Sequence, residues 1–314
     1  MILRGIEFGN VLGASGVQGF FGEGYWFHRL FKPWCDLNRI TFVSKTATLE
    51  PRAGNMRLTK NYTPKYLFPR SVRAKLLRAA MVNAVGLSNP SLETLLKIGL
   101  WQQRTQPFWI SIMSLATTPE DRLKELQAMI AILKRYKAGF AAKFGLQINL
   151  SCPNTGHDPS ELIGESAEVL EVAAELGVPL MPKYSIAFAP IPAIMQLNDN
   201  QNCDAICASN TIPYGWQGFG QQVWGDVASP LAHLGGGGIS GKALLPLVCE
   251  WVGCLKEAGF TKPVNVGGGI LKPEDVDRVH ALNVAASIFL GSVAALRPWQ
   301  VNRIIDRANE LTWN

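Results

Sequence analysis

Two kinds of hydrophobic run alternate along this chain. Short apolar or β-branched stretches at residues 9–14, 40–46, 108–113, 146–150, 180–184, 204–209, 264–267 and 287–291 have the length of strands. Between them, apolar residues recur at helical spacing. In residues 119–137 a proline opens the segment, and Leu123, Leu126, Met129, Ile130 and Leu133 mark one face. Residues 160–176, 241–258 and 273–282 read the same way. Strands alternating with helices predict a parallel sheet. Eight of them predict an α/β fold closed into a (β/α)8 TIM barrel with loop insertions, one domain over residues 1–314. An open doubly wound sheet is the rival, but no G-x-G-x-x-G follows the first strand.

The predicted strand ends carry chemistry. At their C-terminal ends stand Ala14-Ser15-Gly16, Lys45-Thr46, Ser111, Asn149 to Cys152, Lys183, Ser209-Asn210-Thr211, Gly267-Gly268-Gly269 and Gly291-Ser292. A parallel barrel keeps its active site on that face. Glycines after the last two strands offer backbone N–H groups to a phosphate, and the GGGGISG run at 235–241, ahead of a predicted helix, would add donors. Lysine is seldom buried without a partner, so Lys45 and Lys183 in a barrel mouth call for an anion or an electron-rich ring. Rim lysines reaching out to water are the plainer alternative. A phosphate-bearing flavin meets both demands.

Composition narrows the setting. Of 314 residues, 47% are hydrophobic and 17% charged, as in ordinary globular proteins. No run approaches the ~18 apolar residues of a membrane span, and the N-terminal MILRGIEFGN lacks the pattern of a signal peptide, so a cytoplasmic protein is expected. The cysteines at 35, 152, 203, 207, 249 and 254 form no C-x-x-C pair, so neither a metal site nor a cluster is expected, and each reads by default as a small buried hydrophobe. Residues 56–82 hold seven basic side chains and no acidic one; without those seven the net charge of +6 becomes −1. The positive charge is therefore local, which argues against nucleic acid as a partner. This basic insertion is either a solvated loop or a docking surface for an acidic partner or an anionic substrate. Residues 17–34 are rich in aromatics, either packed on the barrel or exposed beside it.

Residues 149–154, NLSCPN, resemble the catalytic loop of the class 1 dihydroorotate dehydrogenases. The resemblance extends through residues 13–16, Lys45, TLEPRAGN at 48–55, NAVGLSNP at 83–90, ASNT at 208–211, GGGISG at 236–241, VGGG at 266–269 and LGS at 290–292. It implies a barrel that binds FMN and oxidises dihydroorotate to orotate in pyrimidine biosynthesis. The flavin contacts it implies are Ala14, Ser15, Lys45, Thr46, Ser111, Asn149, Lys183 and Ser209, with Gly238, Gly268, Gly269, Gly291 and Ser292 around the phosphate. Asn83, Asn149, Asn154, Asn210 and Thr211 are implied as a polar cage for the pyrimidine ring, while Gly86, Leu87 and Lys45 hold the carboxylate. Cys152, with Lys45, then stands as the catalytic group, a base for the C5 proton. The partner implied is a second copy or a separate iron–sulfur flavoprotein subunit that takes the electrons; fumarate is the alternative acceptor. Three other readings stay open: a dihydropyrimidine dehydrogenase-like enzyme, which Asn154 disfavours, another paralogue with a different substrate, and a non-catalytic flavin-binding subunit.

Overall fold

The structure, a computed structural model, describes residues 1–151 and 163–314. The strands are β1 (Ile2–Leu3), β2 (Ile6–Glu7), β3 (Val11–Gly13), β4 (Val72–Lys75), β5 (Ala80–Asn83), β6 (Phe108–Ile112) and β7 (Phe144–Asn149). They continue as β8 (Leu180–Tyr184), β9 (Ile206–Ala208), β10 (Ile212–Pro213), β11 (Gly238–Gly241), β12 (Val264–Gly267) and β13 (Ala285–Leu290). The helices are α1 (Leu92–Ile98), α2 (Pro119–Lys137), α3 (Ser166–Ala174), α4 (Ile191–Met195), α5 (Phe219–Trp224), α6 (Leu244–Glu257), α7 (Pro273–His280), α8 (Val293–Leu296) and α9 (Val301–Glu310).

Seven strands form one parallel sheet in the order β3-β13-β12-β9-β8-β7-β6. Residues 41–47 close it. They bridge in parallel from Thr41 to Leu12 on one edge, and from Val43 to Trp109 and Ala47 to Ile112 on the other. The backbone N–H of Thr41 donates to Val11 and that of Trp109 to Phe42, each at 2.9 Å. The ring therefore has the eight positions of the predicted (β/α)8 barrel, and the eighth is held by isolated bridges.

Its strands are buried on both faces, as parallel barrel strands must be; all six residues of β7 are buried. Helix α2 shows how local sequence sets its layer. Thr118 caps it by accepting from the Asp121 N–H at 3.2 Å, Pro119 opens it, and Glu120 and Asp121 complement the positive end of its dipole. Its Leu126, Met129, Ile130 and Leu133 are buried against the barrel. Inside the ring, Met1, Leu3 and Phe8 from the N-terminal hairpin pack with Leu12, Val43, Trp109 and Met181, and so plug one end. Phe8 and Trp109 meet with their rings tilted by 37° and centroids 4.5 Å apart. Gly145 makes room for that indole, since a Cβ there would lie 2.5 Å from Trp109. The other end stays open.

Over that open end lies a second, antiparallel sheet, β10-β11-β5-β4. The basic segment supplies both β4 and β5, so its second half is a hairpin. The glycine run does not lead straight into a helix as expected. Its end is β11, which pairs with β5, and α6 begins at Leu244. Glycine is needed there for close approach: a Cβ at Gly241 would lie 2.1 Å from the Ala79 carbonyl oxygen, and one at Gly237 2.6 Å from that of Asn83. No described helix is long and apolar enough to cross a membrane.

Candidate active site

Between the open barrel end and the small sheet lies a cavity of about 310 Å³. Its wall is built from strand ends. Ala14, Ser15 and Gly16 follow β3, Lys45 and Thr46 end the closing segment, and Asn149 and Lys183 end β7 and β8. Ser209, Asn210 and Thr211 follow β9, Gly268 and Gly269 follow β12, and Gly291 and Ser292 follow β13. From the cap come Asn83, Gly86 and Leu87. The residues implied as cofactor and substrate contacts are thus gathered in one cavity, with four exceptions.

Ser111 and Gly238 are not among its lining residues. Ser111 is fully buried one layer behind the wall, its hydroxyl 2.9 Å from Thr46 Oγ1. Ser15 Oγ donates to the Ser44 carbonyl at 2.9 Å, so Thr46 donates to Ser15 and Ser111 to Thr46. Ser111 therefore orients a wall residue from behind and is not itself part of the cavity lining. Gly238 pairs with Asn83 inside the small sheet, and Ser240 is the β11 residue that reaches the cavity. The other two, Cys152 and Asn154, lie outside the described residues. The chain enters that stretch at Ser151, which is buried; its hydroxyl is 3.3 Å from the Lys183 carbonyl and accepts from Asn210 Nδ2 at 3.0 Å.

Electrostatics says what the cavity wants. Lys45 and Lys183 both line it, and no acidic side chain does among the described residues. Lys183 is buried with its ammonium 5.1 Å from the Phe289 ring centroid. Lys45 Nζ donates to the Ser88 carbonyl and sits 4.7 Å from the Phe20 centroid. Burial pulls the Lys45 pKa down to about 7, with Glu23 pulling the other way. Two lysines in a described lining that holds no carboxylate favour an anionic ligand.

Amides define a second quarter. Asn210 Nδ2 donates to Asn149 Oδ1 at 2.7 Å as well as to Ser151, which uses both its hydrogens. The side-chain Nδ2 hydrogens of Asn149 and the side-chain Oδ1 of Asn210 are then left without a partner among the described residues, one donor edge and one acceptor edge. Gly86 and Leu87 have left-handed backbones, φ 66° and 56°. Their carbonyls are tied back, Gly86 to Arg52 Nε at 2.8 Å and Leu87 to Asn89 Nδ2 at 2.7 Å. Their N–H groups have no acceptor among the described residues.

Sequence reasoning missed a third quarter. Tyr25, Phe27, His28, Pro69, Val72 and Met81 also line the cavity. His28 Nδ1 accepts from the Tyr25 N–H at 3.1 Å, and burial pushes its pKa to about 4, with the Ala294 carbonyl pulling weakly upward, so it stays neutral. Gly24 hugs that ring, since a Cβ there would lie 2.8 Å from Nδ1. The G-E-G-Y-W-F-H run was the available signal, but a 3-10 turn leaves no periodicity to read. The five described cysteines are free, none lines the cavity, and burial raises Cys203 and Cys207 to about 12.

Comparison with known proteins matches this arrangement to a family. The model of the dihydroorotate dehydrogenase family matches residues 2–310. The chain belongs to that family. Among curated relatives, the catalytic subunit of dihydroorotate dehydrogenase B (NAD(+)) from Listeria monocytogenes is 28% identical over 268 residues, covering 82% of this chain and 75% of its own. The corresponding Streptococcus pneumoniae subunit is 26% identical over 318 residues, 97% of this chain and 89% of its own. Among solved structures, the Eimeria tenella dihydroorotate dehydrogenase in complex with ferulenol superposes with a TM-score of 0.67 at 16% identity, over 97% of this chain and 82% of that one. At that identity the likeness is one of fold. This dihydroorotate dehydrogenase family member is thus an oxidoreductase of a generally flavin-dependent group, with the family's barrel.

Proposed function

We propose that this chain binds FMN and oxidises dihydroorotate, with Cys152 as the base. The observation that carries the reading is the pair of lysines in a cavity whose described lining holds no carboxylate, opposite glycines at the ends of β12 and β13. The residues fit a mononucleotide. Gly268 and Gly269 have φ of 122° and 84°, and a Cβ at Gly269 would lie 2.6 Å from the Gly241 carbonyl oxygen, so this corner of the wall stays bare backbone. Gly268, Gly269, Gly291 and Ser292 would hold the phosphate, with Ala14, Ser15, Thr46, Asn149, Lys183 and Ser209 around the ring system. Bound there, FMN supplies a two-electron acceptor.

The chain's own groups do the rest. Lys45 and the N–H groups of Gly86 and Leu87 hold the substrate carboxylate. The donor edge of Asn149 and the acceptor edge of Asn210 match the alternating groups of an imide ring, with Asn83, Asn154 and Thr211 completing the cage. Cys152 Sγ takes the C5 proton; an ordinary thiol is only about a few per cent ionised at neutral pH, yet that fraction suffices for a base. The names of the relatives, catalytic subunits of an NAD(+) enzyme, support electron transfer to a separate subunit.

The test is anaerobic. Mass spectrometry of the released cofactor should give FMN, and dihydroorotate should bleach the flavin absorbance. Cys152→Ala should retain the flavin and slow the bleaching about 10²–10⁴-fold, the usual worth of a positioned base. Bleaching at the parental rate would remove Cys152 from the mechanism. A flavin that dihydroorotate does not reduce would favour a paralogue with a different substrate.

A further inference from the structure

The segments that form the third quarter of the cavity also carry a surface the reaction does not use. Trp26 lies between the cavity-lining Tyr25 and Phe27 and is itself exposed. Its Nε1 donates to the Leu67 carbonyl at 2.8 Å, and its ring meets Phe68 edge-on at 5.5 Å. Those two contacts join the aromatic loop to the basic segment on the cavity rim, because Pro69 and Val72, just beyond Phe68, line the cavity as well. Leu67 is 62% and Phe68 76% exposed, and Leu30 on the aromatic loop is 66% exposed. Cations alternate with them: Arg29, Lys32, Lys65 and Arg70 are exposed. None of the four pairs with a carboxylate among the described residues. The single acid of the two segments, Glu23, is turned inward, accepting from the N–H groups of Phe20 and Phe21 at 2.9 and 2.7 Å.

We propose that this rim binds the surface of an anionic lipid bilayer and seats the cavity mouth on the headgroup layer. Exposed Trp26, Leu67 and Phe68 stand together as a ridge beside unpaired cations, and a fluid bilayer receives such a ridge without a pre-shaped pocket. Tryptophan and tyrosine at headgroup depth, aliphatic and phenyl groups below them and unpaired arginine and lysine toward anionic lipid are the parts of an interfacial anchor. Such an anchor requires no membrane-spanning helix. The proposal does not rest on the reaction assigned above.

The purified protein, with the cofactor it carries, is floated with vesicles of phosphatidylcholine or of phosphatidylcholine with one third phosphatidylglycerol. Binding to the anionic vesicles that weakens with salt, with a blue shift of tryptophan fluorescence, is the expected result. Leu67→Ser with Phe68→Ser, and separately Lys65→Glu with Arg70→Glu, should each lower the partition coefficient at least about tenfold. Cofactor content and dye-linked activity in solution should be unchanged, because none of these four side chains lines the cavity. A wild-type protein that stays free of both vesicle types at low salt overturns the proposal, and so does binding that both double variants retain. Binding to poly-glutamate but not to vesicles, lost in the same variants, also overturns it and makes the rim a dock for an acidic protein.

Discussion

Lys45→Met should stabilise the ligand-free protein in acid and neutral solution while impairing its chemistry. The wild-type ammonium sits between the Phe20 ring and the Ser88 carbonyl, and burial lowers its pKa from 10.5 to about 7. The folded value lies below the unfolded one, so between about 7 and 10.5 the unfolded chain holds more protons. Stability contributed by this group therefore rises with pH across that window, and the full penalty of the buried charge is present below it. At about 1.4 kcal/mol per pH unit the drop corresponds to roughly 5 kcal/mol. Lys45 is half-buried as a whole residue and borders a wet cavity, and methionine leaves the Ser88 carbonyl with one partner fewer. Those two corrections bring the expected gain to about 2–3 kcal/mol at pH 6. Urea denaturation of both proteins at pH 6, 8 and 9.5 reads it: the gap between variant and parent should shrink as pH rises. A constant gap, or a variant less stable at pH 6, would refute the reasoning. In the same variant the affinity for orotate should fall, and the parent's affinity should weaken as pH climbs through about 7 and Lys45 discharges.

Two further substitutions test the frame around the site. Gly269→Ala puts a Cβ 2.6 Å from the Gly241 carbonyl oxygen and 2.8 Å from the Leu245 nitrogen at a φ of 84°, so it should destabilise by about 2–4 kcal/mol and lower flavin content, read by thermal melts and absorbance. Glu165→Gln replaces the carboxylate of the buried pair with Arg122 by a neutral amide; it should remove about 1–3 kcal/mol in urea melts, and an unchanged midpoint would show that the Glu165 charge adds nothing to stability.

What could be read in the sequence was what repeats or stands at strand ends. The apolar run at 144–149 and the helical spacing of 119–137 each report a face buried against the barrel, and both elements form there. Lysines and amides just after such runs fall on one rim because all the strands are parallel. What escaped was set by contacts distant in sequence. Residues 72–75, VRAK, are too short and too basic to announce a strand, and residues 238–241 look like a turn; each becomes a strand only by pairing with β5. Ser111 stands on a barrel strand like a contact residue, but whether it faces a ligand or a neighbour depends on Thr46, which its hydroxyl meets. His28 is drawn inward by the N–H of Tyr25 and by the space Gly24 leaves.

The small sheet ties the basic segment to the site. Asn83, proposed for the substrate cage, is the last residue of β5 and stands opposite Val72 on one side and Gly238 on the other. Its position is thus fixed from both flanks, by the hairpin of the basic segment and by the glycine run. Lys75 Nζ donates to the Trp224 carbonyl at 2.6 Å, and Arg78 to Val223 at 3.3 Å, so two of the seven cations hold the carbonyl end of α5. These two are structural; of the other five, Lys65 and Arg70 are exposed and bracket the exposed Leu67 and Phe68. Within one segment, then, the strands from Val72 onward shape the cage and residues 65–70 form the outer rim. Substitutions in the rim should change association without changing substrate affinity, and those in the strands should do the reverse.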